Sequence, residues 1–126
     1  MRSLLKRRKR VLLLDDDPSM QRLVARILGN EGFRVDVFLA GNQAIAALGK
    51  QRYDVILLDL MMPHEGGMTV IRHLRKNDPQ MLKRSILLTA SPDSLIDALS
   101  GEVSTVVQKP FEPRQLIDAV RRMSES

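Results

Sequence analysis

The sequence predicts an α/β domain, a doubly wound five-stranded parallel sheet with helices on both faces. Three observations carry this. The apolar runs at 11–14 (Val-Leu-Leu-Leu) and 55–58 (Val-Ile-Leu-Leu) are short and rich in branched aliphatics, as strands buried on both faces are. The segments between such runs repeat apolar residues at helical spacing. Strands and helices alternate five times within 126 residues, a length that suits one domain.

The first strand covers 11–14 and ends in Asp15-Asp16-Asp17-Pro18. Asp17 before Pro18 reads as an N-cap followed by proline at the first helical position, where its missing N–H costs nothing. Met20, Leu23, Val24, Ile27 and Leu28 then form the inward stripe of a helix that stops near 30–32. With Asp17 assigned to the cap, Asp15 and Asp16 are left without a structural role and free to bind a cation. Residues 34–38 alternate polar and apolar, as an edge strand wetted on one face does. A shorter helix follows, with Ala44, Ile45 and Leu48 inward and Gly49 near its end. The central strand is expected over 53–58, with Asp59 at its end, and 61–67 (Met-Met-Pro-His-Glu-Gly-Gly) as a loop. Val70, Ile71 and Leu74 mark the next helix, which ends before Pro79. A strand to Thr89, a short helix near 93–99, a strand to Val107, and a helix opening at Pro113 with Leu116, Ile117, Val120 and Met123 inward complete the chain. Right-handed crossovers with a single reversal give the flavodoxin-like strand order 2-1-3-4-5.

Charge and composition narrow the function. The formal net charge is +5, but Arg2, Lys6, Arg7, Arg8, Lys9 and Arg10 supply six of the 20 basic residues, leaving 14 against 15 acids from Val11 onward. The chain therefore divides into a basic tail, 1–10, and a nearly neutral domain, 11–124. The tail is expected to be solvated; charge alone would let it bind nucleic acid, anionic lipid or an acidic partner. Four apolar residues before three aspartates are too few for a signal peptide, and no segment is long enough to span a bilayer. With no cysteine, disulfides and thiolate metal sites are excluded, and a cytoplasmic location is expected.

In a parallel sheet with this order the first and third strands are neighbours, so Asp15, Asp16 and Asp59 converge at one edge. Ligands of such folds bind at that edge. Carboxylates this close raise one another's pKa, and a hard divalent cation compensates them. Thr89 and Lys109 end later strands on the same edge. An acid pair, an aspartate, a threonine and a lysine in this order, with Pro63 and Gly67 four and eight residues after Asp59 and Pro110 after Lys109, resemble the receiver domain of two-component response regulators over roughly residues 10–124. The resemblance implies a phosphorylation-activated switch that catalyses only its own phosphorylation and dephosphorylation. Asp59 would be the phosphoacceptor, served by a sensor histidine kinase or phosphotransfer protein. Mg²⁺, or Mn²⁺ in its place, would be held by Asp16, by Asp15 through water, by Asp59 and by the backbone carbonyl of Met61. Lys109 and Thr89 would contact the phosphoryl oxygens, and a cis bond is typical of the Lys-Pro junction. The family's aromatic three residues before the lysine is Val106 here, and Glu102-Val103 also departs from its pattern. The conformational response is therefore expected from the loop after Thr89 and the helix near 93–99.

Two other readings compete. Asp15-Asp16-Asp17-Pro18-Ser19 also fits the Asp-x-Asp-x-Ser pattern of haloacid-dehalogenase-type phosphohydrolases, with Asp15 as nucleophile and Asp17 as general acid. Such enzymes want more acids late in the chain, where only Glu102 and Glu112 lie near the last strand. A flavin carrier would want a phosphate cradle after the first strand and aromatic residues that are scarce here. His64 and His73 read as surface residues. The downstream effector is not legible, and the chain reads as either a stand-alone regulator or the receiver of a longer protein.

Overall fold

The computed structural model describes residues 8–60, 62, 66–90 and 105–125. The order is β1 (Arg10–Leu14), α1 (Pro18–Asn30), β2 (Arg34–Phe38), α2 (Gly41–Lys50), β3 (Val55–Asp59), α3 (Gly66–Asn77), α4 (Pro79–Leu82), β4 (Ser85–Thr89), β5 (Thr105–Gln108) and α5 (Pro113–Ser124). The strands form one sheet in the order β2-β1-β3-β4-β5, every pair parallel. This is the expected architecture. The helix expected near 93–99 lies outside the described residues.

Alternation along each strand divides the core in two. Val11, Leu13, Val55, Leu57, Ile86 and Leu88 face α1 and α5, packing with Val24, Leu28, Leu116 and Val120. Leu12, Leu14, Ile56, Leu58 and Leu87 face the other way, against Ala44 of α2, Val70, Ile71 and Leu74 of α3, and Leu82 of α4. β1, β3 and β4 are covered on both faces, which is why their sequences lack polar alternation. β2 and β5 are the edge strands, and β2 leaves Arg34 and Val37 exposed.

The sequence reading is refined at several points. Pro18 opens α1 and the Asp17 carboxylate accepts from the Ser19 N–H, as expected. The helix ends at Asn30, with Gly32 at φ 91°, a backbone conformation that favours glycine. Leu23, expected inward, is 44% exposed because the buried stripe narrows to Val24 and Leu28 with Met20 and Ile27 at its flanks. α3 begins at Gly66, inside the stretch expected to be loop. A one-turn helix, α4, opens at Pro79, capped by the Asp78 carboxylate accepting from the Met81 N–H. In α5, Glu112 and Gln115 form a reciprocal capping box, and all four expected inward residues are buried.

β3 starts at Val55 rather than Tyr53, because the two residues before it serve other bonds. The Asp54 carboxylate accepts from the Arg10 N–H at 2.8 Å, and the Tyr53 hydroxyl donates to Asp36 Oδ2 at 2.7 Å. Arg10 pairs with the same Asp36 oxygen at 3.4 Å, so Arg10 belongs to the sheet and not to the tail. Arg8 is also engaged, its guanidinium donating to the carbonyls of Gly32 and Phe33 at 3.2 and 3.0 Å. The strands are thus fastened to one another at their amino ends.

Burial, then the bond to Asp36 and that residue's charge, hold the Tyr53 hydroxyl above the usual tyrosine range. A raised folded-state pKa gives stability that is present below the unfolded value of about 10 and is lost as pH rises beyond it. Tyr53→Phe should therefore lower unfolding stability by about 1 kcal/mol at pH 7. The gap to wild type should close above about pH 10 in denaturant titrations; a gap that persists there would exclude the Tyr53 to Asp36 bond as its source.

Candidate functional site

Three strand ends and one loop build the site. β1 and β3 are hydrogen-bonded neighbours, Leu14 lying opposite Leu58, so Asp15 and Asp59 emerge side by side at the carboxyl end of the sheet. Asp15 is fully buried and Asp59 nearly so, whereas Asp16 is exposed at the rim. The three offer carboxylate oxygens that lie within 4.8 Å of one another. β4 contributes Thr89, also buried, and the Thr89 carbonyl accepts the Lys109 N–H at 2.8 Å. That bond brings the loop after β5 across the edge, with the Lys109–Pro110 peptide cis. Lys109 Nζ lies 3.4 Å from Asp59 Oδ2 and 3.7 Å from Asp15 Oδ2. Five of the expected site residues, Asp15, Asp16, Asp59, Thr89 and Lys109, therefore lie at one sheet edge. The sixth, Met61, lies outside the described residues, as do Pro63 and His64 of its loop.

The local structure gives Asp15 a second task. Its Oδ1 accepts from the Asp17 N–H at 2.9 Å, and its carbonyl accepts from the Gln21 side chain at 2.6 Å. The expectation that capping by Asp17 leaves Asp15 without a structural role therefore needs correction, since Asp15 also turns the chain into α1. Such an aspartate-to-backbone bond two residues on is a common turn device and was open to inference from the sequence. The Gln21 contact carried no such signal, because it depends on how α1 seats against the sheet.

The electrostatics are unbalanced. Asp15 Oδ2 is buried with no hydrogen-bond partner among the described residues, and Lys109 is too distant to donate well. The Asp15 carboxyl is pushed up to about 6, chiefly by burial; the bond from the Asp17 N–H opposes the rise, Asp59 adds to it, and Lys109 lowers it. Among the described residues one ammonium faces three carboxylates. An orphaned buried oxygen among clustered carboxylates is a donor set suited to a hard divalent cation such as Mg²⁺, which takes oxygen ligands and keeps some of its water.

The chain after Asp59 is held close by glycine. A Cβ on Gly67 would stand 2.7 Å from the Asp59 carbonyl oxygen, so the first turn of α3 can approach the end of β3 only without a side chain. At Gly66 the corresponding contact is the Met62 methyl at 2.8 Å, the far end of a flexible side chain. Of the two histidines, His73 lies half-buried on α3 with its Nδ1 3.2 Å from Asn77 Nδ2, and it has no part in the site.

A five-stranded parallel sheet of order 2-1-3-4-5 with clustered acids at its carboxyl edge defines a class of flavodoxin-like domain with a site suited to a cation. Comparison with known proteins identifies the class, since the response regulator receiver domain model matches residues 11–121. The chain belongs to that family and is a receiver domain of two-component signalling. It is 37% identical over 116 residues to the DNA-binding response regulator MtrA of Mycolicibacterium smegmatis, covering 90% of this chain and 50% of that protein. It is 36% identical to the transcriptional regulatory protein TrcR of Mycobacterium tuberculosis, covering 89% and 44%. The chain thus spans about half the length of the curated relatives it matches. Among solved structures, the receiver domain of Francisella response regulator 1452 superposes with a TM-score of 0.82 at 27% identity, covering 93% of this chain and 97% of that one. The chemotaxis response regulator CheY4 of Vibrio cholerae gives 0.81 at 27% identity, covering 93% and 99%. No helix among the described residues is long and apolar enough to cross a membrane.

Gly67→Ala should lower stability by about 1–3 kcal/mol, because backbone must move to admit the methyl group. Gly66→Ala should cost less, since only the end of Met62 has to turn. Urea unfolding of the two variants checks this; equal losses would show that the Asp59 carbonyl is not the rigid element.

Proposed function

We propose that this receiver is switched by phosphorylation at Asp59, with the phosphoryl group supplied by a sensor histidine kinase or a phosphotransfer protein. The observation that carries the reading is the cluster of Asp15, Asp16 and Asp59, with carboxylate oxygens within 4.8 Å of one another, beside the Lys109 ammonium at the end of the central strand. Membership of the receiver family supports it. In the hydrolase alternative Asp17 would be a general acid, whereas its carboxylate caps α1.

Each residue has a part in the transfer. An Asp59 carboxylate oxygen attacks the phosphorus of the donor's phosphohistidine. The new O–P bond forms as the N–P bond breaks, and that bond's electron pair leaves on the imidazole nitrogen. Lys109 supplies a positive charge beside Asp59 for the phosphoryl oxygens. Thr89, whose carbonyl tethers Lys109, offers its hydroxyl to the same group. Asp15 and Asp16, with Asp59 and the carbonyl of Met61, would hold Mg²⁺, which when bound offsets the negative charge shared by the carboxylates and the incoming phosphoryl group. Mn²⁺ suits the same oxygen donors. Burial of Asp15 and Asp59 limits water around the acyl phosphate.

Phosphorylation is expected to reach an effector, in the same protein or a separate one, through a change of conformation. Val106 is half-buried at β5 and paired in register with Leu87. A stiff β-branched side chain there has few rotamers to exchange, so the response should arise on the Thr89 side of the sheet edge.

Incubation with acetyl phosphate and Mg²⁺ should add one phosphoryl group by intact-mass measurement. The addition should vanish in Asp59→Asn and in the presence of a chelator, and Lys109→Ala should slow it at least about tenfold by weakening charge stabilisation. A label that survives Asp59→Asn would refute the assignment of the acceptor.

A further inference from the structure

The opposite edge of the sheet carries a charge imbalance of the other sign. At the amino ends of the strands Arg34 and Arg10 are register partners, Asp54 precedes β3, and Arg84 precedes β4. Strands lie about 4.8 Å apart, so this row extends for about 14 Å across four of them. Apart from Glu125, exposed just past the end of α5, the acids at this end are committed to structural bonds. Glu31 pairs with Arg121, Asp36 with Arg10 and Tyr53, Asp54 accepts the Arg10 N–H, and Asp78 caps α4. The cations are not so committed. Among the described residues Lys9, Arg34, Lys50, Arg52, Lys76 and Lys83 are exposed and have no carboxylate within ion-pair distance. Lys50 and Lys76 complement the negative ends of α2 and α3. Lys9, Arg34, Arg52 and Lys83 lie outside helices and have no such use. The basic tail enters at this same edge, where Arg8 is bound to the carbonyls of Gly32 and Phe33.

We propose that this amino-terminal edge binds the phosphate backbone of duplex nucleic acid without reading sequence. Two observations favour a duplex over other polyanions. Surfaces that lie on lipid set apolar side chains among their cations. Here the exposed large hydrophobics among the described residues, Leu23, Val37 and Leu39, lie on α1 and at the carboxyl end of β2. Single-strand binders offer aromatic platforms to the bases. The aromatic residues at this edge among the described residues, Phe33 and Tyr53, are buried, and the Tyr53 hydroxyl is held by Asp36. What the edge offers is charge spread over a ridge, and a duplex presents a phosphate charge about every 1.7 Å of its axis.

The test uses the full chain and a fluorescein-labelled duplex of about 20 base pairs, followed by anisotropy between about 50 and 200 mM NaCl, where neutralisation of each phosphate steepens the salt dependence by about 0.9. Wild type should bind with affinity that falls steeply with salt and equally for unrelated sequences. Arg34→Gln/Arg52→Gln should weaken binding at least about tenfold at low salt and reduce the slope by about 2. Arg22→Gln/Arg114→Gln removes the same charge from the helix starts at the opposite edge and should change neither quantity by as much as half that. Circular-dichroism melting shows that the variants are folded. The proposal is overturned if wild type does not bind at about 50 mM salt, if the two double variants lose affinity equally, or if the Arg34/Arg52 variant binds like wild type, which would assign binding to the tail. Binding to phosphatidylserine vesicles with none to the duplex overturns it as well.

Discussion

The pairing of β1 with β3 is the constraint on which the site depends. It sets Asp15 beside Asp59, whose charge raises the pKa of the Asp15 carboxyl; like charges would part if the backbone ladder allowed it. Leu12, Leu14, Ile56 and Leu58 on one face, and Val11, Leu13, Val55 and Leu57 on the other, fix the register from both sides. A slip of one residue would turn every one of these side chains to the wrong core. The hydrophobic layers therefore hold the acids in a clustered, electrostatically uneasy arrangement that is ready for a cation.

Lys109 reaches that arrangement by a different route. It belongs to no strand and arrives through the Lys109 N–H bond to the Thr89 carbonyl, one step past the β4–β5 ladder. Its ammonium stands between Asp15 and Asp59 at distances that attract both without a close hydrogen bond to either. A charge so placed moderates repulsion while leaving room for a further group, and it ties the state of the acids to the position of β5.

Most of the architecture was legible because buried parallel strands have a distinctive composition, and because Asp17-Pro18 and Glu112-Pro113 announce helix starts through cap chemistry. The site was legible for a related reason, since polar residues that end apolar strands collect at one edge. What could not be read depended on tertiary neighbours. Leu23 has the right spacing to be buried, but the face that α1 turns to the sheet centres on Val24 and Leu28 and leaves it exposed. Tyr53 looked like strand, yet its hydroxyl follows Asp36 on β2, a partner 17 positions away. The second role of Asp15 was local and was obscured by assigning the whole turn to Asp17.

The contact between Gly67 and the Asp59 carbonyl has a consequence for how this sequence can vary. Any base change at the first or second position of a glycine codon introduces a side chain or a stop, so no single amino-acid replacement at 67 leaves the end of β3 where it is. The position should look invariant in a lineage even though it has no functional group to contribute to chemistry. Gly66, facing only the end of Met62, should drift to alanine wherever residue 62 changes with it. The two adjacent glycines would then record different histories, one that of a backbone and the other that of a side chain.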